Sequence, residues 1–121
     1  MNNICKPAVL LCCALALAGC NAFGSSQTSD AQTRGADLII ANGCGTCHSI
    51  PGVAGARGNV GPPLDHIGTR VFIAGMLRNT PDNMVRWLKN PQAVIPGNAM
   101  PNMNLNDKQA RDITAYRAEL Q

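Results

Sequence analysis

The chain has 121 residues and a formal net charge of +3, and 45% of its residues are hydrophobic although only 3% are aromatic. That length suits one domain whose core is small relative to its surface. The ten lysines and arginines are scattered singly, which argues against a nucleic-acid-binding surface. Because large core-filling side chains are scarce, we expect a bound group to complete the core.

The N-terminal segment predicts an export signal. Residues 1–20 have a short polar start with Lys6, an apolar stretch over 8–18 and the ending Leu17-Ala18-Gly19-Cys20. The apolar stretch is about half of the ~20 residues that a spanning helix needs. The ending resembles a bacterial lipobox, so we predict a lipoprotein signal peptide over 1–19 and lipidation of Cys20. An ordinary cleavage site with an incidental cysteine is the alternative.

The next segment separates this signal from the folded part. Residues 20–30 contain the cysteine and a run of small polar residues, and we predict a lipidated Cys20 followed by a flexible linker. The domain is predicted over residues 31–121. Its first helix is expected from Ala31 to Asn42, with Asp30 as the N-cap and Gly43 ending it.

The middle of the domain is predicted to be mostly loop. Residues 49–81 contain many Gly and Pro residues and have no long periodic run. Thr80 as N-cap and Pro81 at the first helical position predict a helix that runs to about Asn90. Pro91 is expected to stop it.

The C-terminal part predicts a loop and then the last helix. Residues 92–106 contain three Pro or Gly residues and favour an extended loop. Asn106 is expected to cap a helix over 107–120, whose apolar residues recur at helical spacing. No strand pattern is found. We therefore predict an all-α domain of about three to four helices, whose long loops need a ligand to organise them.

A cysteine motif follows the first predicted helix. Cys44-Gly45-Thr46-Cys47-His48 has the C-x-x-C-H pattern of covalent haem attachment. Thiols about one helical turn apart can reach the two vinyl groups on one porphyrin edge, and the adjacent histidine can then ligate the iron. Small residues between them let the backbone approach the ring. The motif predicts one covalently attached haem c per chain.

Three other interpretations of the motif are possible. A thioredoxin-like redox pair would need a βαβ context, which the sequence lacks. A zinc site would need two more nitrogen or sulfur ligands, and His66 is the one other histidine. A structural disulfide between Cys44 and Cys47 is the third alternative. Haem is favoured because the export signal places the chain where such attachment occurs in bacteria.

Beyond this motif, residues 31–121 resemble the class I cytochrome c family. Gly61-Pro62-Pro63-Leu64 is similar to the family's Gly-Pro-x-Leu loop. The resemblance implies that the Pro62 carbonyl accepts the proton of the second ring nitrogen of His48, and that Pro62 and Leu64 contact the haem. A plain turn is the alternative, since Gly-Pro pairs are common.

A second segment is similar to the part of the family that delivers an axial methionine. Trp87-Leu88-Lys89-Asn90-Pro91 is followed by Ile95-Pro96-Gly97-Asn98-Ala99-Met100. The resemblance implies that Met100 is the second iron ligand, opposite His48. Pro96 and Pro101 restrict the backbone on both sides of the loop, so the thioether is presented at low entropic cost.

Other residues compete for the second ligand position. Met103 lies in the same loop and is the main rival, although it is suited to covering the haem edge. Met84 lies within a predicted helix and suits core packing. Met76 lies in a Gly-containing loop without framing prolines. His66 follows closely on the Gly-Pro pair, on the His48 side of the haem, and is expected at the surface.

The resemblance also implies supporting contacts. Arg70 lies where many members carry an arginine that binds a haem propionate, and a solvated arginine is the alternative. Trp87 corresponds to an aromatic that lines the methionine side, or is simple core. Gly35 is expected to cross the last helix near Tyr116. Ile39 stands where the first helix often has an aromatic.

Taken together, these features predict an electron carrier and not an enzyme. A haem iron held by His48 and Met100 has no open position, and such ligation raises the potential. We expect single-electron transfer in a membrane-associated respiratory chain, to or from a terminal oxidase or dehydrogenase, by a monomeric domain in the periplasm. The alternatives are a haem enzyme or gas-binding protein with an open sixth position, and a fixed haem subunit of a larger oxidoreductase.

Overall fold

The computed structural model describes the backbone of residues 19–121 and the side chains of residues 27–121. Its first helix, α1, runs over Gly19–Ala41. The N-cap predicted at Asp30 is therefore wrong, and the stretch 21–30 predicted as a flexible linker is helical. Once the packed part of α1 has formed, no proline interrupts its N-terminal extension, and elongation needs no new nucleus.

Most of the predicted signal peptide lies outside the described residues. Residues 1–18 and the side chain of Cys20 are not described, so cleavage and lipidation stay predictions. Within the part of the chain that the structure describes, none of the helices combines the length and apolar character needed to cross a bilayer.

The second helix, α2, runs over Pro81–Lys89 as predicted. The Thr80 hydroxyl accepts a hydrogen bond from the Asn83 amide at 3.3 Å, which caps the helix. Pro91 does end α2, but it also begins a short helix, α3, over Pro91–Val94. The fully extended loop predicted from residue 92 is therefore wrong at its start. A proline without an N–H fits the first position of a new helix.

The last helix, α4, runs over Asp107–Arg117. Asn106 caps it as predicted, and the side chain of Gln109 reaches back to the Asn106 amide at 3.0 Å to complete a capping box. The helix ends three residues before the predicted Leu120. The final turn is tighter than an α-helix, since the Leu120 amide donates to the Arg117 carbonyl at 3.1 Å.

A small antiparallel hairpin lies between α1 and α2. Strand β1 is Phe72–Ile73 and strand β2 is Leu77–Arg78, with Ile73 opposite Leu77. The turn uses positive φ at Ala74 and Gly75. No strand was predicted, because two-residue strands are too short to show an alternating pattern. The domain is otherwise helical, as predicted.

The core is centred on the crossing of α1 and α4. A Cβ atom on Gly35 would lie 2.2 Å from the Asp112 carbonyl oxygen and 2.9 Å from Cβ of Tyr116, so the two backbones approach as closely as a glycine allows. This is the predicted crossing. Ile39, in place of an aromatic, is buried against Ile113 in the same cluster.

Candidate haem site

One large cavity opens between the helices and the long loops. Its volume is about 510 Å³, within the ~300–1,000 Å³ range of ligand sites, and its walls are mainly apolar. The walls include all eight residues that the sequence assigned to cofactor binding: Cys44, Cys47, His48, Pro62, Leu64, Arg70, Trp87 and Met100. Residues from distant parts of the chain therefore meet around one space.

The cysteine motif lies directly after α1. Gly43 takes a positive φ of 66° and turns the chain, and Cys44–Thr46 then form a single 3₁₀ turn. The Cys47 and His48 amides both donate to the Cys44 carbonyl, at 3.2 and 3.0 Å. Both cysteines carry free thiols. Burial raises the pKa of the Cys44 thiol. The two sulfurs and the imidazole thus belong to one compact turn at the cavity wall.

His48 is held by the Gly-Pro loop. The ring nitrogen Nδ1 lies 2.8 Å from the Pro62 carbonyl oxygen, the contact that the resemblance implied. An imidazole whose Nδ1–H donates to this carbonyl has a lone pair on Nε2, the form that ligates a metal. Gly61 packs against the ring, and a Cβ there would lie 2.3 Å from Cε1. The loop therefore limits the position of the imidazole.

The loop that carries Met100 is held by two amide side chains. Gln92 donates to the carbonyls of Asn98 and Met100, both at 2.9 Å, and accepts from the Gly97 amide at 3.0 Å. The side chain of Asn98 accepts from the Met100 amide at 2.8 Å and donates back to Pro91 and Ile95 carbonyls. The sequence analysis predicted that the flanking prolines restrict this loop, but not that amide side chains hold it. Amide residues clustered between prolines were the available signal.

The rival ligands are placed differently. Met103 and Met84 line the same cavity as Met100, but Met84 is buried on α2 among apolar residues. Met76 is exposed in the hairpin and is not among the lining residues. His66 is also outside the cavity wall, with 68% of its side chain exposed beside Asp65. Met100 and Met103 are therefore the two methionines of the loop that line the cavity, and both remain candidates for the second iron ligand.

Arg70 and Trp87 also line the cavity. Arg70 donates through Nη2 to the Pro63 carbonyl at 2.7 Å and the Asp65 carbonyl at 3.0 Å, and it pairs with the Asp65 carboxylate at 3.5 Å. It is a structured arginine and not a freely solvated one. Trp87 is half-buried against a second apolar cluster that contains Ile73.

One cavity residue was missed by the sequence analysis. Arg117 of α4 is 8% exposed and contributes to the cavity wall. It lies four residues after the buried Ile113 and seven after the buried Ala110, on the face of the helix that carries these two apolar residues. A charged residue on the apolar face of a helix was the signal that could have identified it.

This arrangement defines a cytochrome c domain. The family model for cytochrome c matches residues 32–121, so the chain belongs to the cytochrome c family. Such a domain indicates an electron carrier and implies covalently bound haem c. The residues present fit that group, because paired thiols, an oriented imidazole and an apolar cavity are combined.

The chain is also similar to part of a larger protein. It is 29% identical over 103 residues to cytochrome c oxidase subunit 2 of Alkalihalophilus pseudofirmus, covering 84% of this chain and 29% of that protein. The same subunit of Bacillus sp. (strain PS3) is 29% identical over 96 residues, or 76% of this chain and 27% of the relative. The chain thus spans less than a third of these curated relatives. No solved structure matches it significantly.

Proposed function

We propose that this protein carries single electrons on one haem c, attached through Cys44 and Cys47 and ligated by His48 and Met100. The observation that carries the proposal is the shared cavity, which joins the C-x-x-C-H turn to the loop of Met100. When bound, haem c supplies a one-electron iron couple. His48 and Met100 would both hold the iron, which would leave no position for a substrate and favours outer-sphere transfer.

The protein's own groups would keep this coordination constant. The Pro62 carbonyl orients His48 and increases the basicity of its other nitrogen. Gln92 and Asn98 hold the backbone on both sides of Met100, so the thioether is positioned before it binds. Methionine and histidine ligation raises the reduction potential relative to two histidines. A fixed ligand set changes little between oxidation states, which suits a carrier.

Visible spectra of the oxidised and reduced protein test the haem and its ligands. Oxidised wild type is expected to show the long-wavelength charge-transfer band of methionine sulfur on iron. Met100→Ala should abolish this band, whereas the matched variant Met103→Ala should keep it. The reverse result would assign Met103. Mass spectrometry of the intact chain would show whether one haem is attached, and gel filtration whether the domain is monomeric.

Carbon monoxide separates a carrier from a haem enzyme or gas-binding protein. Reduced wild type at neutral pH should bind it poorly, because Met100 would hold the iron at the position that carbon monoxide needs. Reduced Met100→Ala should bind it readily. Rapid binding by the wild type would favour an open-site haem protein and would contradict the carrier proposal.

We also propose an exported location, with the haem domain in the periplasm and Cys20 tethered to a bacterial membrane. The lipobox-like ending at Cys20 and the preceding apolar stretch support it. Wild type should sediment with membranes and carry the haem, whereas Cys20→Ser should release a haem-loaded protein to the periplasmic fraction. Equal sedimentation of the two proteins would contradict the lipid anchor.

The proposed partner is a membrane redox complex, with a terminal oxidase favoured over a dehydrogenase. The similarity to oxidase subunit 2 supports this choice. Val60 is 71% exposed and Phe72 is 49% exposed, and both border the cavity, so an uncharged surface is available close to the haem. Oxidation of the reduced protein by oxidase-containing membranes tests the choice, with cyanide as the control. No oxidation would favour a different acceptor.

A fixed subunit of a larger oxidase is the second candidate. The same relatives favour it, because in their case the matching region is part of a long oxidase polypeptide. Gentle detergent solubilisation of native membranes distinguishes the two. A mobile carrier should separate from the oxidase during purification, whereas a fixed subunit should remain with it in constant ratio.

A further inference from the structure

Arg117 is a buried cation with incomplete hydrogen bonding. Its Nη1 donates to Asn79 Oδ1 at 2.5 Å and to the Ile67 carbonyl at 3.3 Å. Its Nε is buried and has no hydrogen-bond partner among the described residues. Arg117 also lines the large cavity, so this buried cation lies at the wall of the haem space.

The charge of Arg117 is also unbalanced. A buried ion without a counter-charge costs several kcal/mol, so buried arginines are usually paired. Among the described residues no carboxylate pairs with Arg117, and the buried carboxylate of α4, Asp112, is already bound by Arg34 and Lys108. Burial lowers the pKa of Arg117. The site therefore lacks one anion and one hydrogen-bond acceptor.

Asn79 connects Arg117 to a second arginine of the cavity wall, Arg70. The side chain of Asn79 accepts from Arg117 and donates through Nδ2 to the Arg70 carbonyl at 2.7 Å and to the Ile67 carbonyl at 2.8 Å. Arg70 also lines the cavity. Asn79 thus links the side chain of Arg117 to the backbone of Arg70, and haem c carries two propionate carboxylates.

From this geometry we infer that the Arg117 guanidinium binds a haem propionate and supplies its counter-charge. The inference rests on the proposed function for the presence of haem. Guanidinium suits the role because it stays protonated and its N–H groups match a carboxylate. Arg117 is a positioning residue with an electrostatic effect: a propionate without its cation would favour oxidised iron, so Arg117 raises the reduction potential.

The test uses the haem-loaded protein and the variant Arg117→Gln. Its matched control is Arg111→Gln, which removes an exposed charge from the same helix, where Arg111 pairs with Asp107 at 3.5 Å. In spectroelectrochemistry, the equilibrium between oxidised and reduced iron should shift about tenfold or more towards the oxidised form in Arg117→Gln. This corresponds to a reduction potential lower by about 59 mV for one electron. Resonance Raman bands of the propionate groups should move as well. Arg111→Gln should change neither.

Unchanged potential and propionate bands in haem-loaded Arg117→Gln would overturn the inference, leaving Arg117 as a support for Asn79. If Arg117→Gln does not accumulate with haem, Arg117→Lys decides. Lysine keeps the charge but lacks the planar set of N–H donors of a guanidinium, so the propionate bands should still move, and unmoved bands would overturn the inference. Absence of covalent haem in the wild type would overturn the proposed function itself, before any variant is compared.

Discussion

Gly61→Ala is expected to disturb His48, the proposed haem ligand, directly. The added Cβ would lie 2.3 Å from Cε1 of His48, 2.7 Å from Nδ1 and 2.9 Å from Nε2. Non-bonded carbon atoms prefer about 3.5–4.0 Å, so the ring or the loop must move by roughly 1 Å. The Gly61 amide is itself bound to the Cys47 carbonyl at 2.8 Å, which ties the loop to the haem motif.

The loss of stability caused by Gly61→Ala can be estimated from these contacts. Overpacking of this kind costs about 1–3 kcal/mol, and loss of the bond from His48 to the Pro62 carbonyl costs about 0.5–1.5 kcal/mol. We therefore expect Gly61→Ala to lower the free energy of unfolding by about 2–4 kcal/mol. Guanidinium unfolding of the haem-loaded protein, followed by haem absorbance, measures this value. The visible spectrum should also change, because the imidazole is displaced.

Gly55→Ala is the matched control. A Cβ at Gly55 meets nothing within 4 Å, but the backbone has a positive φ of 76°. Alanine in that conformation costs about 1–2 kcal/mol without touching the ligand. Its haem spectrum should match the wild type. If Gly61→Ala also kept the wild-type spectrum and were no less stable than Gly55→Ala, the reasoning from close packing against His48 would be refuted.

Three further predictions concern the fold and the methionine loop. Gly35→Ala should lower the free energy of unfolding by about 1–3 kcal/mol, because the added Cβ would overpack the crossing of α1 and α4. Asp37→Ala, at an exposed position of the same helix, should change it by under about 0.5 kcal/mol. Equal effects of the two variants would contradict the crossing. Hydrogen bonds from Arg34 and Lys108 lower the pKa of Asp112. The contribution of Asp112 to stability is therefore complete above the ordinary carboxyl pKa of about 3.9 and declines as pH falls through the lowered value. In urea unfolding below about pH 4, the free energy of unfolding should fall more steeply with pH in wild type than in Asp112→Asn, and parallel curves would refute this. Gln92→Leu removes three hydrogen bonds of the loop. In this variant the methionine–iron band should therefore disappear at a lower denaturant concentration than the one at which the whole domain unfolds. If the band and the fold were lost at the same concentration, the loop would need no support from Gln92.

The electrostatic prediction for Asp112 depends on a short-range network between two helices. Arg34 of α1 donates to both carboxylate oxygens of Asp112, at 3.0 and 3.2 Å, and Lys108 contributes at 2.6 Å. Both basic side chains are substantially exposed, which screens the pairs, so we expect an effect of about 1 kcal/mol.

Local chemistry explains which elements could be predicted. The caps at Thr80 and Asn106 satisfy amides within three residues along the chain, so neighbouring residues suffice to place the starts of α2 and α4. The spacing of Cys44, Cys47 and His48 likewise lies within one turn. By contrast, the hairpin strands and α3 are too short to have a periodic signature, and the beginning of α1 has no local stop signal.

The amino-acid sequence by itself determined the kind of cofactor, through the C-x-x-C-H motif, and the candidate ligands Met100 and Met103. Tertiary structure decided what supports them: the carbonyl of Pro62 on His48, the amide of Gln92 on the methionine loop, and the buried charge of Arg117. The physical reason is distance along the chain. A motif within one turn is readable from its own residues, whereas the contacts of Arg117 join residues 38 and 50 positions apart, which only folding brings together.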